Sequence, residues 1–332
     1  MTLNHKYRSA FLLNVNAKNV TNRIIEKLSK LISTENLFFS KSISDSENIY
    51  KAIINKKYRY VFNGGGDGTI INAINILNEI SKIEKKKQLP KIGILKLGTG
   101  NALAKIAKSR HIILDTIDIV EGQKNIEEYS ISLIECDNGT LTPFAGIGYD
   151  GEILNDYLRM KNTYKMKSIP AYLCAAFLVT LPKQVFSSTP IIRIYTNSDA
   201  YKLLYKNKND QQIKIPNNTL IYEGPSAFVS IGSIPWYGFG LEMFPFTYHK
   251  KDFLNLRISN MRIAAVIANL YPEIWNGIYR NLKLQDFLIK DITIESDRLI
   301  PYQIGGDFSG LKYKLRFKIA NHSIEMARIV PW

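Results

Sequence analysis

The sequence predicts an α/β protein in two parts: a Rossmann-like parallel α/β domain at the N-terminus, then an antiparallel β-sandwich domain. Three observations predict it. Short β-rich runs alternate with helical patterns through the first 128 residues, the texture changes to strands joined by turn residues after about Tyr129, and glycine-rich turns follow strands and open helices.

Ser9 to Val15 reads as a strand, and Val20 to Ile32 as its crossover helix, because Ile24, Leu28, Leu31 and Ile32 recur at helical spacing. The alternation continues with a strand at Leu37 to Phe39, a helix near Ser46 to Asn55, a strand at Tyr58 to Phe62 and a helix from about Gly68 to Ile83. A strand at Ile92 to Leu97 and a helix opening near Asn101 complete it. From 129 to 310 the strands are Tyr129 to Cys136, Leu141 to Gly148, Ile191 to Thr196, Leu220 to Ser230, Phe253 to Ile258 and Asp291 to Glu295. The turn Asp137-Asn138-Gly139 joins the first two of these. Helices at Ser168 to Leu181, Met261 to Leu270 and Glu273 to Tyr279 are expected to pack on this second domain. The last residues, about 311 to 332, are expected to return to the first.

With 332 residues, 45% of them hydrophobic, 19 Tyr and 15 Phe, the chain can bury two cores and shows no composition of disorder. Its net charge of +15 favours anionic partners such as nucleotides or anionic membranes. Biased Lys and Asn usage explains that charge equally well. Cys136 and Cys174 are the two cysteines, which excludes a disulfide scaffold, and His5, His111, His249 and His322 have no metal or triad spacing. The apolar stretch Ala10 to Leu13 is too short for a signal peptide, so a cytoplasmic location is expected. Ile169 to Leu181 falls short of the ~20 apolar residues of a spanning helix and reads as packed or touching a membrane surface. No nucleic-acid-binding module is recognisable.

The chemistry concentrates in glycine turns. In Tyr60 to Thr69, an apolar strand feeds Gly64-Gly65-Gly66-Asp67-Gly68-Thr69, and a helix with Ile70, Ile71, Ile74 and Leu77 on its apolar face follows. Backbone N–H groups and the positive helix end then converge on one spot, which suits a polyphosphate, and glycines let the backbone approach it. A carboxylate at Asp67 would repel that ligand unless it acts through Mg²⁺ or water; the bland alternative is a cap on the next helix. A second turn, Gly98-Thr99-Gly100-Asn101, repeats the strand-to-helix arrangement. In a parallel sheet both turns can line one ligand.

These motifs resemble the diacylglycerol kinase catalytic family, which also contains sphingosine kinases, ceramide kinases and bacterial lipid kinases. The resemblance rests on GGGDGT at Gly64 to Thr69, LGTGNALAK at Leu97 to Lys105, AGIGYDGEI at Ala145 to Ile153 and YQIGGDFSG at Tyr302 to Gly310. It implies the two-domain fold of the NAD kinase and diacylglycerol kinase type, with ATP and Mg²⁺ in the crevice between the domains and a lipid hydroxyl as acceptor. It further implies nucleotide contacts from Asn14 or Asn16 and from both glycine turns, metal contacts from Asp67 and Asp150, and Asp307 as the catalytic base beside Asp67.

The chain departs from the family pattern in several places. Asn14-Val15-Asn16 stands where Asn-Pro is usual, Ala102 follows Asn101 where many bacterial members carry Asp, and Gly305-Gly306-Asp307 replaces Asp-Gly-Glu. Helix capping by Asp150 and a turn position for Asp307 remain as the structural readings of those two residues. The expected function is an ATP-dependent lipid kinase working transiently at a membrane surface, with a homodimer left open. The alternatives are an NAD kinase-like enzyme, since that family shares a GGDGT loop, and a non-catalytic, membrane-associated nucleotide sensor.

Overall fold

The structure, a computed structural model, describes residues 8–84, 87–98, 100, 102–122, 126–164, 175–180, 182–183, 188–206, 209–261, 263–281 and 283–330. The chain divides into two compact units. The first runs to Ile131 and includes Gly238–Gly240 and the segment from Ser323; the second holds Ser132–Tyr237 and Leu241–His322.

The first unit contains β1 (Ser9–Asn14), α1 (Asn22–Leu31), β2 (Leu37–Ser40), α2 (Ile43–Asn55), β3 (Tyr60–Gly65), α3 (Asp67–Ile83), β4 (Lys91–Lys96), α4 (Ala102–Ile106), α5 (Ile112–Val120) and β5 (Ile126–Ile131). Its helices start where local chemistry dictates. Thr21 Oγ accepts from Ile24 N–H at 3.4 Å ahead of α1, and Ser42 Oγ accepts from Asp45 N–H at 3.0 Å ahead of α2. The strands form a six-stranded sheet, β2-β1-β3-β4-β18-β5, in which β1, β2, β3, β4 and β18 (Ile324–Ile329) are parallel to their neighbours and β5 is antiparallel. Burial on both faces explains the near-continuous apolar runs of β1 and β3. Leu13, Leu28, Phe62, Leu95 and Ile119 form the core between that sheet and its helices.

The second unit contains β6 (Ile134–Cys136), β7 (Leu141–Thr142), β8 (Phe144–Gly148), α6 (Tyr149–Tyr164), β9 (Ile191–Thr196), β10 (Ala200–Lys206), β11 (Asn209–Ile215), β12 (Thr219–Pro225), β13 (Phe228–Gly232), β14 (Leu254–Ser259), β15 (Leu284–Ile289), β16 (Asp291–Ile304) and β17 (Asp307–Ile319). They make a twelve-stranded antiparallel sheet in which β16 pairs with β8, β9 and β17. The core gathers Ile147, Ile194, Val229, Leu256, Phe287, Ile294 and Phe317.

Several sequence expectations shift. The run Tyr129 to Cys136 is not one strand: β5 and β6 belong to different sheets. Leu220 to Ser230 splits at Pro225, where β12 ends; β12 pairs with β9, and β13 pairs with β8 and β14. Periodicity shows which face a residue takes and not which partner its backbone finds. Strand β17 stays in the second sheet to Ile319, and the first unit resumes at Ser323. Of the helix expected at Ser168 to Leu181, Ala175–Thr180 forms a π-helical turn, and residues 168–174 and 181 lie outside the described residues. Among the described residues, no helix is long and apolar enough to cross a membrane.

Candidate active site

Asp67 opens α3 with Gly66 as the residue before it, extended at φ −97°, ψ −175°. The carboxylate does not cap its own helix. Its Oδ2 accepts Ala102 N–H at 3.0 Å and its Oδ1 accepts Leu103 N–H at 3.0 Å, so it caps α4 and ties the two glycine turns together. A Cβ on Gly65 would lie 2.3 Å from Thr69 Oγ1, so that position requires glycine, while one on Gly66 would stand in ordinary contact, 3.4 Å from Gly98 Cα. A Cβ on Gly64 would meet the Leu13 side chain at 2.4 Å. Gly68 and Thr69 lie in the first turn of α3, with Thr69 N–H donating to Gly66 O at 3.0 Å. Asn14 Nδ2 donates to Thr69 Oγ1 at 3.0 Å and its Oδ1 accepts Asn16 N–H at 3.0 Å, which joins the end of β1 to α3. Gly98 and Gly100 lie in the second turn, where a Cβ on Gly100 would stand 3.0 Å from Asp67 Oδ2. Thr99 and Asn101 lie outside the described residues.

Beside Asn14, Asn16 and Thr69 opens a cavity of about 140 Å³ whose wall also includes Ser40, Ser42, Ser46, Tyr50, Asn63 and Asn72. Among the described residues, no charged side chain lines it. Tyr50 donates its hydroxyl to Asn63 Oδ1 at 2.8 Å, and Asn63 Nδ2 donates to Val61 O at 3.1 Å, so the buried polar floor is satisfied. Sequence reasoning missed these residues, together with Asn19, whose Nδ2 holds Gly98 O at 3.1 Å. One signal was available: Asn63 is a polar interruption in the apolar run Tyr60-Val61-Phe62.

Burial pushes the Asp67 carboxyl above the usual carboxylate range, and the Leu103 and Ala102 N–H groups pull against that shift. Among the described residues, no group of three or more His, Cys, Asp or Glu side chains could hold a metal ion. A lone carboxylate beside a helix N-terminus fits Mg²⁺ when phosphate oxygens and retained waters supply the other ligands, the usual habit of that ion.

The remaining expected carboxylates lie in the second unit. Asp150 is in the first turn of α6, and its Oδ2 accepts Gln303 Nε2–H at 2.9 Å and the Tyr237 hydroxyl. The Tyr237 ring is fixed by Phe144, 4.6 Å between centroids, and by Phe244 at 5.6 Å. A Cβ on Gly146 would stand 2.7 Å from Asp150 Oδ2 and 3.1 Å from the buried Ser230 Oγ, so glycine leaves a small polar space there. Burial raises the Asp150 carboxyl, opposed by the hydrogen bonds from Tyr237 and Gln303.

Asp307 begins β17 directly after the two-residue turn Gly305-Gly306, whose φ values of +62° and +89° explain why glycine fits where the family has Asp-Gly. Its side chain is exposed. Crowding by the surrounding protein still raises its carboxyl, and the Lys161 charge lowers it.

Residues 10–131 match the family model for the diacylglycerol kinase catalytic domain. Over this stretch the chain is similar to the diacylglycerol kinase catalytic family. A solved structure of a candidate diacylglycerol kinase from Bacillus anthracis str. Sterne superposes with a TM-score of 0.62 at 15% identity, covering 97% of this chain and 98% of that one. A structure of a diacylglycerol kinase from the same organism gives 0.61 at 15% identity, covering 97% of each chain. At such identity the likeness concerns the fold: a parallel-rich first sheet with helices and a mostly antiparallel second sheet. Among curated proteins, no sequence matches this chain. The matched region holds both glycine turns and Asp67.

Proposed function

We propose that this chain is a lipid kinase that transfers the γ-phosphoryl group of ATP to a lipid hydroxyl. The observation that carries the reading is the Asp67 carboxylate bridging both glycine turns through Ala102 and Leu103 N–H. That bridge holds the N-terminus of α3 and the second turn in one arrangement beside a cavity lined by Asn, Ser, Thr and Tyr side chains. Phosphates sit against the backbone N–H groups at the start of α3, and Asn14 and Asn16 lie at the cavity's edge for the nucleoside. Mg²⁺, when bound with the nucleotide, would screen phosphate charge, and Asp67 would be the carboxylate of this unit that holds it.

On the second unit, Asp307 takes the proton of the lipid hydroxyl as that oxygen attacks the γ-phosphorus. The bond to the β,γ-bridging oxygen breaks and ADP leaves. Phosphoryl transfer asks the protein mostly for positioning and electrostatic stabilisation, which two fixed turns and two carboxylates provide.

Incubation with γ-labelled ATP and a panel of diacylglycerol, sphingoid base, ceramide and extracted bacterial lipids tests this. Label in a lipid supports the reading and names the acceptor. A non-catalytic nucleotide sensor is the second reading, favoured by Ala102 and Gly305 in place of family carboxylates. Tight ATP binding with no labelled lipid, and no NADP formed from NAD, would establish it instead.

A further inference from the structure

The hairpin that presents Asp307 turns on Gly305-Gly306, a pair with more backbone freedom than any other two residues. A carboxylate on such a turn keeps one direction only if other groups hold the turn. Two hydrogen bonds do so: Gly305 N–H donates to Phe144 O at 2.9 Å, and Gly306 N–H donates to Gln303 Oε1 at 2.7 Å. Gln303 is fully buried on β16, opposite Gly146 of β8. Its amide works at both ends. Oε1 accepts from the turn, while Nε2 donates to Asp150 Oδ2 at 2.9 Å and lies within hydrogen-bond reach of the Tyr237 hydroxyl.

We propose that Gln303 is a positioning residue of the transfer reaction, anchored by Asp150 and Tyr237, which locks the Gly305-Gly306 turn and so aims the Asp307 carboxylate. The residue type follows from the task. A carboxylate at 303 could accept from Gly306 but would face Asp150 with no proton to give, and an apolar side chain could do neither. The anchor is itself fixed: the Tyr237 ring packs on Phe144 and Phe244, and the absence of a Cβ at Gly146 lets the Asp150 carboxylate reach its place. Sequence reading included Gln303 in the motif Tyr302 to Gly310 without giving it a role, and passed over Tyr237, because neither side chain carries a charge.

The inference rests on the reading of Asp307 as proton acceptor, so its test has one arm that depends on activity and one that does not. In the first, Gln303→Ala should lower kcat roughly 10- to 100-fold, the scale of a misplaced catalytic group, with ATP affinity and the KM for ATP unchanged. Gln303→Glu, which keeps the acceptor for Gly306 and loses the donor to Asp150, should fall as far. In an Asp307→Asn background, Gln303→Ala should add less than about twofold, because both variants remove one aimed carboxylate. In the second arm, amide hydrogen exchange at Gly306 should speed at least about tenfold in Gln303→Ala, while Gly232 in the neighbouring β13 exchanges as in the wild type.

Unchanged exchange at Gly306 overturns the positioning role whatever the activity. Full kcat in both Gln303 variants beside an inactive Asp307→Asn overturns it too, as do losses that multiply independently. If Asp307→Asn is fully active while Gly306 exchange still rises, the turn is anchored as stated and it is the assignment of the base that fails. Should Gln303→Ala not fold, Tyr237→Phe removes one of the two anchors and is read by the same exchange rate.

Discussion

Asp67 accepts two backbone N–H groups from α4 while standing in the first turn of α3, so replacing it acts on structure as well as chemistry. Asp67→Ala removes the cap on α4 and should cost about 0.5–2 kcal/mol, whereas Asp67→Asn keeps one acceptor and should cost less. Both should abolish label transfer from γ-labelled ATP. Chemical denaturation beside the transfer assay checks the pair, and an active, stable Asp67→Asn would reduce Asp67 to a cap. Asp150 offers a second test through pH. Burial lifts its carboxyl above the unfolded value near ~3.9, so the folded chain holds the proton more tightly between the two values. Its contribution to stability is present below the unfolded pKa and is lost as pH rises through the folded one. Asp150→Asn does not titrate, so its melting temperature should gain on the wild type progressively from acid to neutral pH. A constant difference between the two melting curves at every pH would show that burial imposes no such charge penalty. Asp67 stood out in the sequence because it is a carboxylate inside a glycine run. Its partners did not, because Ala102 and Leu103 contribute backbone N–H groups that residue type does not mark.

At the scale of elements, close approach between strands sets the next expectation. A Cβ on Gly93 of β4 would stand 2.2 Å from the Phe62 ring of β3, one strand away, and both residues pair directly in the sheet. Gly93→Ala should therefore destabilise by about 1–3 kcal/mol through overpacking, measured by denaturant unfolding, and loss of less than that would mean that Phe62 can move aside. The β16–β17 turn behaves differently. Gly305 has φ +62°, a conformation Asp visits at modest strain, so Gly305→Asp restores the family carboxylate at a cost near ~1 kcal/mol while the hairpin still forms. A gain in transfer rate would indicate that this chain works below its family's capacity. Strands such as β3 and β8 were legible because apolar runs end in glycine turns. The strands β10, β11 and β15 were not, because their edges and charged residues carry no clean alternation.

For the whole molecule, the net charge of +15 and the proposed lipid acceptor together predict binding to anionic vesicles over neutral ones, weakening as salt rises. Vesicle sedimentation at low and high ionic strength measures this, and equal binding to both kinds of vesicle would remove the basic field from the mechanism. Stability of the second unit depends on a buried pair. Arg257 and Asp286, 1% and 0% exposed, meet through hydrogen bonds of 2.9 and 3.0 Å. Asp286→Asn should cost about 3–5 kcal/mol by leaving a buried guanidinium without its counter-charge, seen as a lowered transition in calorimetry. Sequence by itself determined the alternating first domain, the antiparallel second one and the glycine turns with Asp67, because periodicity and glycine placement are local properties that residue type expresses directly. Only the tertiary structure decided that β18 lies between β4 and β5, that Asp67 caps α4, and that Gln303, Asp150 and Tyr237 meet behind the Asp307 turn. The Gln303–Asp150 contact joins residues 153 positions apart and the β18–β4 pairing Met326 to Ile92 joins residues still farther apart, and contacts at such separations come from the packing of whole sheets, which no short window of sequence contains.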